Sequence, residues 1–156
     1  MPTISGKMCC WIWLFLVLSG LLLSLAGCRS GGEKGPAAIS LTDIEWQWIA
    51  STVKETGATI TVPDPEKYTL VFKTDGSYSG KADCNLIGGR FAQEAGFKLV
   101  AGPSTMAYCG EQSLDRTYLE LLGQTSDGGL DSSGRLTLES TGGAMQMIFR
   151  NGGIAP

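Results

Sequence analysis

Asp75-Gly76-Ser77-Tyr78-Ser79-Gly80, then Asp83-Cys84-Asn85, Gly88-Gly89-Arg90-Phe91 and Thr105-Met106-Ala107-Tyr108-Cys109: these pieces of residues 75–109 decide the fold. Asp-Gly opens a tight hairpin, because glycine readily takes the positive φ that such turns need. Residues 68–74, Tyr-Thr-Leu-Val-Phe-Lys-Thr, read as the strand before it, and residues 77–82 as its return. Residues 88–93 and 97–100 form a second hairpin across Glu94-Ala95-Gly96. Cys84 and Cys109 bracket this run and read either as a structural disulfide or as a reactive dithiol. Their spacing is not C-x-x-C, and no Lys, Arg or His adjoins either one to depress a thiol pKa, which favours the structural reading.

Outward toward the N-terminus, Ile44, Trp46 and Trp48 alternate with Glu45 and Gln47, the pattern of a strand with one buried face. Tryptophans at i and i+2 can form a ligand platform, but core packing is the commoner fate of so large a side chain. Residues 55–67 contain Gly57, Pro63 and Pro65 and must hold a loop, with a short strand at 59–62. Toward the C-terminus, residues 113–122 read as a helix, capped by Ser113, favoured by Asp115 in the first turn and ended by Gly123. Leu114, Tyr118, Leu121 and Leu122 make one apolar stripe that closes the core. Strands near 129–131, at 135–139 and at 145–150 follow, separated by Ser132-Ser133-Gly134 and Thr141-Gly142-Gly143. The expected fold is mainly β (α+β): an antiparallel, barrel-like curled sheet of about eight strands packed on one helix, since closing a sheet removes its exposed edges.

Lys7 is the only charge before Arg29, and an apolar run extends from Trp11 to Leu25. A basic start, an apolar run and a small-residue end describe a secretory signal peptide. The run is about 15 residues, short of the roughly 20 that span a bilayer core. It ends in Leu25-Ala26-Gly27-Cys28, which resembles a bacterial lipobox. That resemblance implies cleavage before Cys28 and acylation of its thiol. Residues 1–27 are then the signal peptide, 28–40 the lipidated N-terminus and flexible tether, and 41–151 the folded domain. Several acyl chains hold a protein stably on a membrane where one does not. Arg29 in place of Asp after the cysteine implies the outer membrane, facing the periplasm, if the source is Gram-negative. Of the 5 cysteines, Cys9 and Cys10 fall in the discarded peptide. Cys84 and Cys109 remain as an even pair in an exported domain, the usual mark of a disulfide, here expected to have no catalytic role.

The chain of 156 residues has room for one domain. A net charge of -3 argues against nucleic acid as a partner. With 0 histidines there is no Ser-His-Asp triad, no Cys-His dyad and no His-ligated metal. Residues 127–134 are rich in Asp and Gly but lack calcium-loop spacing, and Gly88-Gly89 lacks a phosphate-loop pattern. No catalytic residue, metal ligand or cofactor is expected, and the protein does not read as an enzyme.

Residues 41–150 resemble the META domain family, which includes HslJ-like bacterial envelope proteins. Leu41 and Trp46 match its opening; Phe72, Asp75 and Gly76 match its Phe-x-x-Asp-Gly hairpin, with Gly80 in the returning strand. Cys84, Asn85, Gly88, Gly89 and Phe91 match its central signature, Thr105 to Cys109 its Thr-rich segment, and Leu136-Thr137-Leu138 its late strand. Asp83 stands where the family usually has Gly, Met106 sits one place early, and residues 55–67 are long for the family. The resemblance implies a small barrel-like sheet with a packed helix and lends no enzymatic activity. Some members are linked to stress or antibiotic tolerance of the envelope. The expectation is a lipid-anchored, non-enzymatic envelope protein, an interaction or stress-tolerance module touching an envelope protein. The alternative is a binding protein for a small apolar ligand, with Trp46, Trp48, Phe72 and Phe91 lining a cavity in the curled sheet.

Overall fold

Trp46 and Trp48 anchor the first strand, β1 (Ile44–Val53), and neither indole is accessible to solvent. The computed structural model describes residues 40–94 and 96–156; the predicted signal peptide, Cys28 and the tether up to residue 39 lie outside them. Each buried indole N–H finds an acceptor: Trp46 Nε1 donates to Leu41 O at 2.9 Å, and Trp48 Nε1 to Ala50 O at 2.9 Å and Ser51 Oγ at 3.0 Å. Gln47, expected on a wet face, is buried as well. Its Oε1 accepts from Arg150 Nε at 2.9 Å, its Nε2 donates to Glu45 Oε1 at 2.9 Å, and the backbone of Gly152 lies against the amide. A long-range partner therefore covers a residue whose local pattern says solvent.

The remaining strands are β2 (Thr59–Thr61), β3 (Tyr68–Phe72), β4 (Ser77–Ala82), β5 (Asn85–Ala92), β6 (Lys98–Ala101), β7 (Thr125–Leu130), β8 (Leu136–Ser140) and β9 (Met145–Ile154). They form one antiparallel sheet ordered β6-β5-β4-β3-β1-β9-β8-β7, with β2 paired to the far half of β1. The unusually long 55–67 segment supplies β2 and one turn of 3-10 helix at Pro65–Lys67. The two outer strands meet where Phe97 N–H donates to Ser126 O at 3.2 Å, so the barrel nearly closes. β9 continues its pairing with β1 past residue 151, to Ile154 opposite Ile44.

The Asp75-Gly76 turn forms as its sequence requires. Gly76 has φ +79°, Gly76 N–H donates to Lys73 O at 3.1 Å, and Lys73 N–H donates to Ser77 O at 2.9 Å. Farther on, Gly80 and Gly89 are needed for close approach rather than for φ. A Cβ on Gly80 would collide with Thr69 O, and one on Gly89 with Val100 O. β7 starts at Thr125, earlier than its sequence suggests, because Thr125-Ser126-Asp127-Gly128 lacks apolar alternation. Gly128 has no side chain because Leu138 and Phe97 occupy that space.

The helix α1 (Asp115–Gly123) buries Tyr118, Leu121 and Leu122, with Leu114 partly buried against the same core. Ser113 lies outside the cap position, which Leu114 occupies; the Ser113 hydroxyl accepts from Asp115 N–H at 3.1 Å. Gly123 is the last helical residue rather than a left-handed stop, and Gln124 follows in a right-handed conformation. Such end shifts are ordinary. The rings pack directly: Trp48 stacks on Tyr118 with centroids 5.2 Å apart, and Phe72 meets Phe91 at 4.8 Å and Phe97 at 5.4 Å. Aromatic pairs at these separations add about 0.5–1.5 kcal/mol each beyond their area.

Candidate functional site

β4 and β5 are joined by Asp83-Cys84 alone, since Ala82 pairs with Asn85. Asp83 adopts φ +58°, a region that glycine enters freely and that Asp tolerates better than most residues. A glycine would take this conformation without steric cost. Asn85 then begins β5 with 2% of its surface exposed. Its Oδ1 accepts from Ala107 N–H at 2.7 Å and from the Thr105 hydroxyl at 3.1 Å; its Nδ2 donates to Ala107 O at 3.0 Å. A carboxamide carries a donor and an acceptor, so it pairs with the Ala107 peptide as a neighbouring strand would. Aspartate would lose the donor and leucine both.

The same segment is tied at several further points. Gly102 N–H donates to Gly88 O at 2.8 Å, Thr105 N–H donates to Leu86 O at 3.0 Å, and Thr105 Oγ1 accepts from Leu86 N–H at 2.9 Å. The Cys84–Cys109 disulfide, with Cα atoms 5.6 Å apart, fixes the far end. Residues 102–110 therefore form a strap bound along β5. Tyr68 links the β4–β5 turn to the start of the helix: its hydroxyl accepts from Leu114 N–H at 2.8 Å and donates to Asp83 Oδ2 at 3.4 Å.

Along the strap, the Thr105 hydroxyl, the Ala107 peptide and the Cys109 sulfur bind Asn85 or Cys84, while the Met106 and Tyr108 side chains lie in water, 92% and 80% exposed. Leu86, 61% exposed, adds apolar surface beside them. Between strap and α1 runs a groove of about 610 Å³ whose walls include Met106, Tyr108, Asp115, Arg116 and Leu119. The backbone here is held while the apolar side chains are not covered. This is a surface suited to contact.

The other motif residues serve elsewhere. Trp46 and Phe72 lie in the core with Phe91 packed against it, and Trp46, Trp48 and Phe72 fill space with their neighbours. Gly80, Gly88 and Gly89 lie where strands approach closely. Asp75 sits in its turn, where the Ser77 hydroxyl and N–H hold its carboxyl below the usual range. Asp131, in the loop weighed for calcium, accepts from Arg135 N–H and Ser133 N–H and pairs with the Arg135 guanidinium at 2.8 Å, which lowers its pKa in the same way. Burial pushes the Tyr118 and Tyr78 hydroxyls up. Among the described residues, no three of His, Cys, Asp and Glu are grouped to hold a metal ion. Cys84, Asn85, Thr105 and Cys109 are marked in the sequence as motif members, and Leu114 and Asp115 only as helix residues; the bond from Leu114 N–H to the Tyr68 hydroxyl has no local signal.

A nearly closed antiparallel barrel with one packed helix and a disulfide-pinned strap defines the class of protein. Residues 40–152 match the META domain family, and the chain belongs to it. No curated protein matches the chain. Two solved structures share the fold. One is the NMR structure of a protein from Burkholderia xenovorans, 20% identical, with a TM-score of 0.55 over 76% of this chain and 93% of that one. The other is the crystal structure of a duf4847 family protein from Bacteroides vulgatus, 14% identical, with a TM-score of 0.53 over 70% of this chain and 92% of that one.

Proposed function

We propose that this META-domain protein is a lipid-anchored, non-enzymatic component of the bacterial envelope that acts by contact, with the strap as its contact face. The observation that carries this reading is the outward pair Met106 and Tyr108 on a backbone fixed by Asn85, Thr105 and the disulfide. Ordering entropy is then already lost before a partner arrives, which favours binding. The partner is an envelope protein. Leu25-Ala26-Gly27-Cys28 supports the anchor, and Arg29 supports the outer membrane if the source is Gram-negative.

A photo-reactive amino acid placed at Met106 or Tyr108, and at the exposed Ser133 as reference, tests the contact in intact cells. A discrete adduct from the strap positions and not from Ser133 is expected; equal labelling from all positions refutes the contact face. Cys28→Ala tests the anchor separately. It should leave an unprocessed precursor without lipid label, and normal incorporation of labelled fatty acid into the variant would overturn that half of the proposal.

A further inference from the structure

The Cys84–Cys109 bridge is electrically lopsided. Cys109 Sγ faces two N–H groups, the Cys84 backbone N–H at 3.3 Å and Asn85 Nδ2 at 3.3 Å. Among the described residues no N–H donates to Cys84 Sγ, and Cys84 is the exposed partner while Cys109 is half-buried. In thiol–disulfide exchange the incoming thiolate attacks the accessible sulfur, and the better-stabilised thiolate leaves. N–H donors stabilise a sulfur anion as they do any anion. The Ala107 carbonyl oxygen opposes charge on both sulfurs, at 3.6 Å from Cys109 and 4.0 Å from Cys84, and Asp115 Oδ2 competes for Asn85 Nδ2 at 3.4 Å. The backbone N–H of Cys84 has no such competitor.

We propose that this bridge is a thiol-exchange site at which Cys84 is the attacked sulfur and Cys109 the leaving thiolate. The reactant is a dithiol. One of its thiolates forms a bond to Cys84 Sγ, the Cys84–Cys109 bond breaks, and the electron pair goes to Cys109. The second thiolate of the dithiol then attacks the dithiol's other sulfur, bonded to Cys84, and displaces Cys84; the Cys109 and Cys84 thiolates each take up a proton from water. The dithiol ends as a disulfide and the protein as two thiols, a transfer of two electrons. A monothiol stops at the mixed disulfide on Cys84. Either outcome unpins the strap beyond Ala107, leaving it held by Asn85 and Thr105.

The test uses the oxidised full chain and limiting glutathione, a monothiol. The reaction is quenched in acid, free thiols are alkylated, and peptides are mapped to separate Cys84 and Cys109 from Cys9, Cys10 and Cys28. The expected product carries glutathione on Cys84 and the alkyl group on Cys109, about tenfold or more over the reverse product. Equal products, the reverse product, or no adduct overturns the proposal. Asn85→Ala removes one donor and should lower the ratio. Thr105→Ala loosens the strap but leaves both donors in place, and should keep it. A merely structural Asn85 predicts that the two variants behave alike, and the wild-type ratio decides even if Asn85→Ala does not fold.

Discussion

Tyr118→Phe should make this protein more stable. Tyr118 is wholly buried on α1, stacked on Trp48 at 5.2 Å and edge-on to Tyr68 at 5.6 Å. Its hydroxyl is buried and has no hydrogen-bond partner among the described residues. Water satisfies that group in the unfolded chain, so folding carries the full desolvation cost, about 1–3 kcal/mol. Phenylalanine keeps the ring and its contacts and removes only the oxygen. The small void left behind offsets part of the gain, so a net stabilisation of about 1 kcal/mol is expected. Urea unfolding followed by tryptophan fluorescence reads it, because Trp46 and Trp48 lie in the same core. The midpoint should rise by about half a molar with the slope unchanged. A loss of more than about 0.5 kcal/mol would mean that the hydroxyl is bonded in the fold, as a buried water would allow, and the reasoning would fail.

Ionisation gives a second reading of the same group. Burial raises the Tyr118 pKa well above its ordinary 10.0, with Tyr78 contributing in the same direction. Above pH 10 the unfolded chain therefore loses a proton that the fold retains. The native state binds more protons there, so stability falls as pH rises, by about 1.4 kcal/mol per pH unit for one such group. Below that range the contribution is fully present. The variant should lose Tyr118's share of the slope and keep the smaller share of Tyr78, so the two stability curves diverge on the alkaline side.

Leu121→Ala, on the buried face of α1, should cost about 2–5 kcal/mol and lower the melting temperature by many degrees; a shift within error would place that face at the surface. Gly80→Ala forces a Cβ against Thr69 O and should cost about 1–3 kcal/mol in the same melt, whereas an unchanged melt would mean that β3 and β4 are not packed so closely. Asp131→Asn should lower stability at neutral pH, where Arg135 holds the carboxylate ionised. The native carboxyl is lowered below its unfolded value, so its contribution is present above the unfolded pKa and lost as pH falls through the folded one. Wild type and variant should therefore converge in acid, and a constant gap across pH refutes that role.

Some of this fold is legible in sequence because its cause is local. Asp75-Gly76 fixes one turn, and the β3–β4 register from Phe72 opposite Tyr78 to Tyr68 opposite Ala82 follows from it. The α1 stripe and the Trp46 and Trp48 alternation are equally self-contained. Gln47 is not, because its burial depends on Arg150, 103 residues away. The Thr125-Ser126-Asp127-Gly128 portion of β7 is hidden for a similar reason, since its partner strand, not its own apolar pattern, makes it a strand.

The strap shows the limit of motif reading most clearly. Cys84, Asn85, Thr105 and Cys109 stand out by residue type, yet the bond that joins them runs from the Asn85 amide to the peptide of Ala107, whose side chain advertises nothing. The Thr105 hydroxyl, the Ala107 peptide and the Cys109 sulfur make the bonds, and the side chains of Met106 and Tyr108 lie uncovered. The residues that identify the family are thus mainly those that hold the barrel and the strap. In the contact reading we propose, selection of a partner falls to the side chains that the strap leaves uncovered, here Met106 and Tyr108.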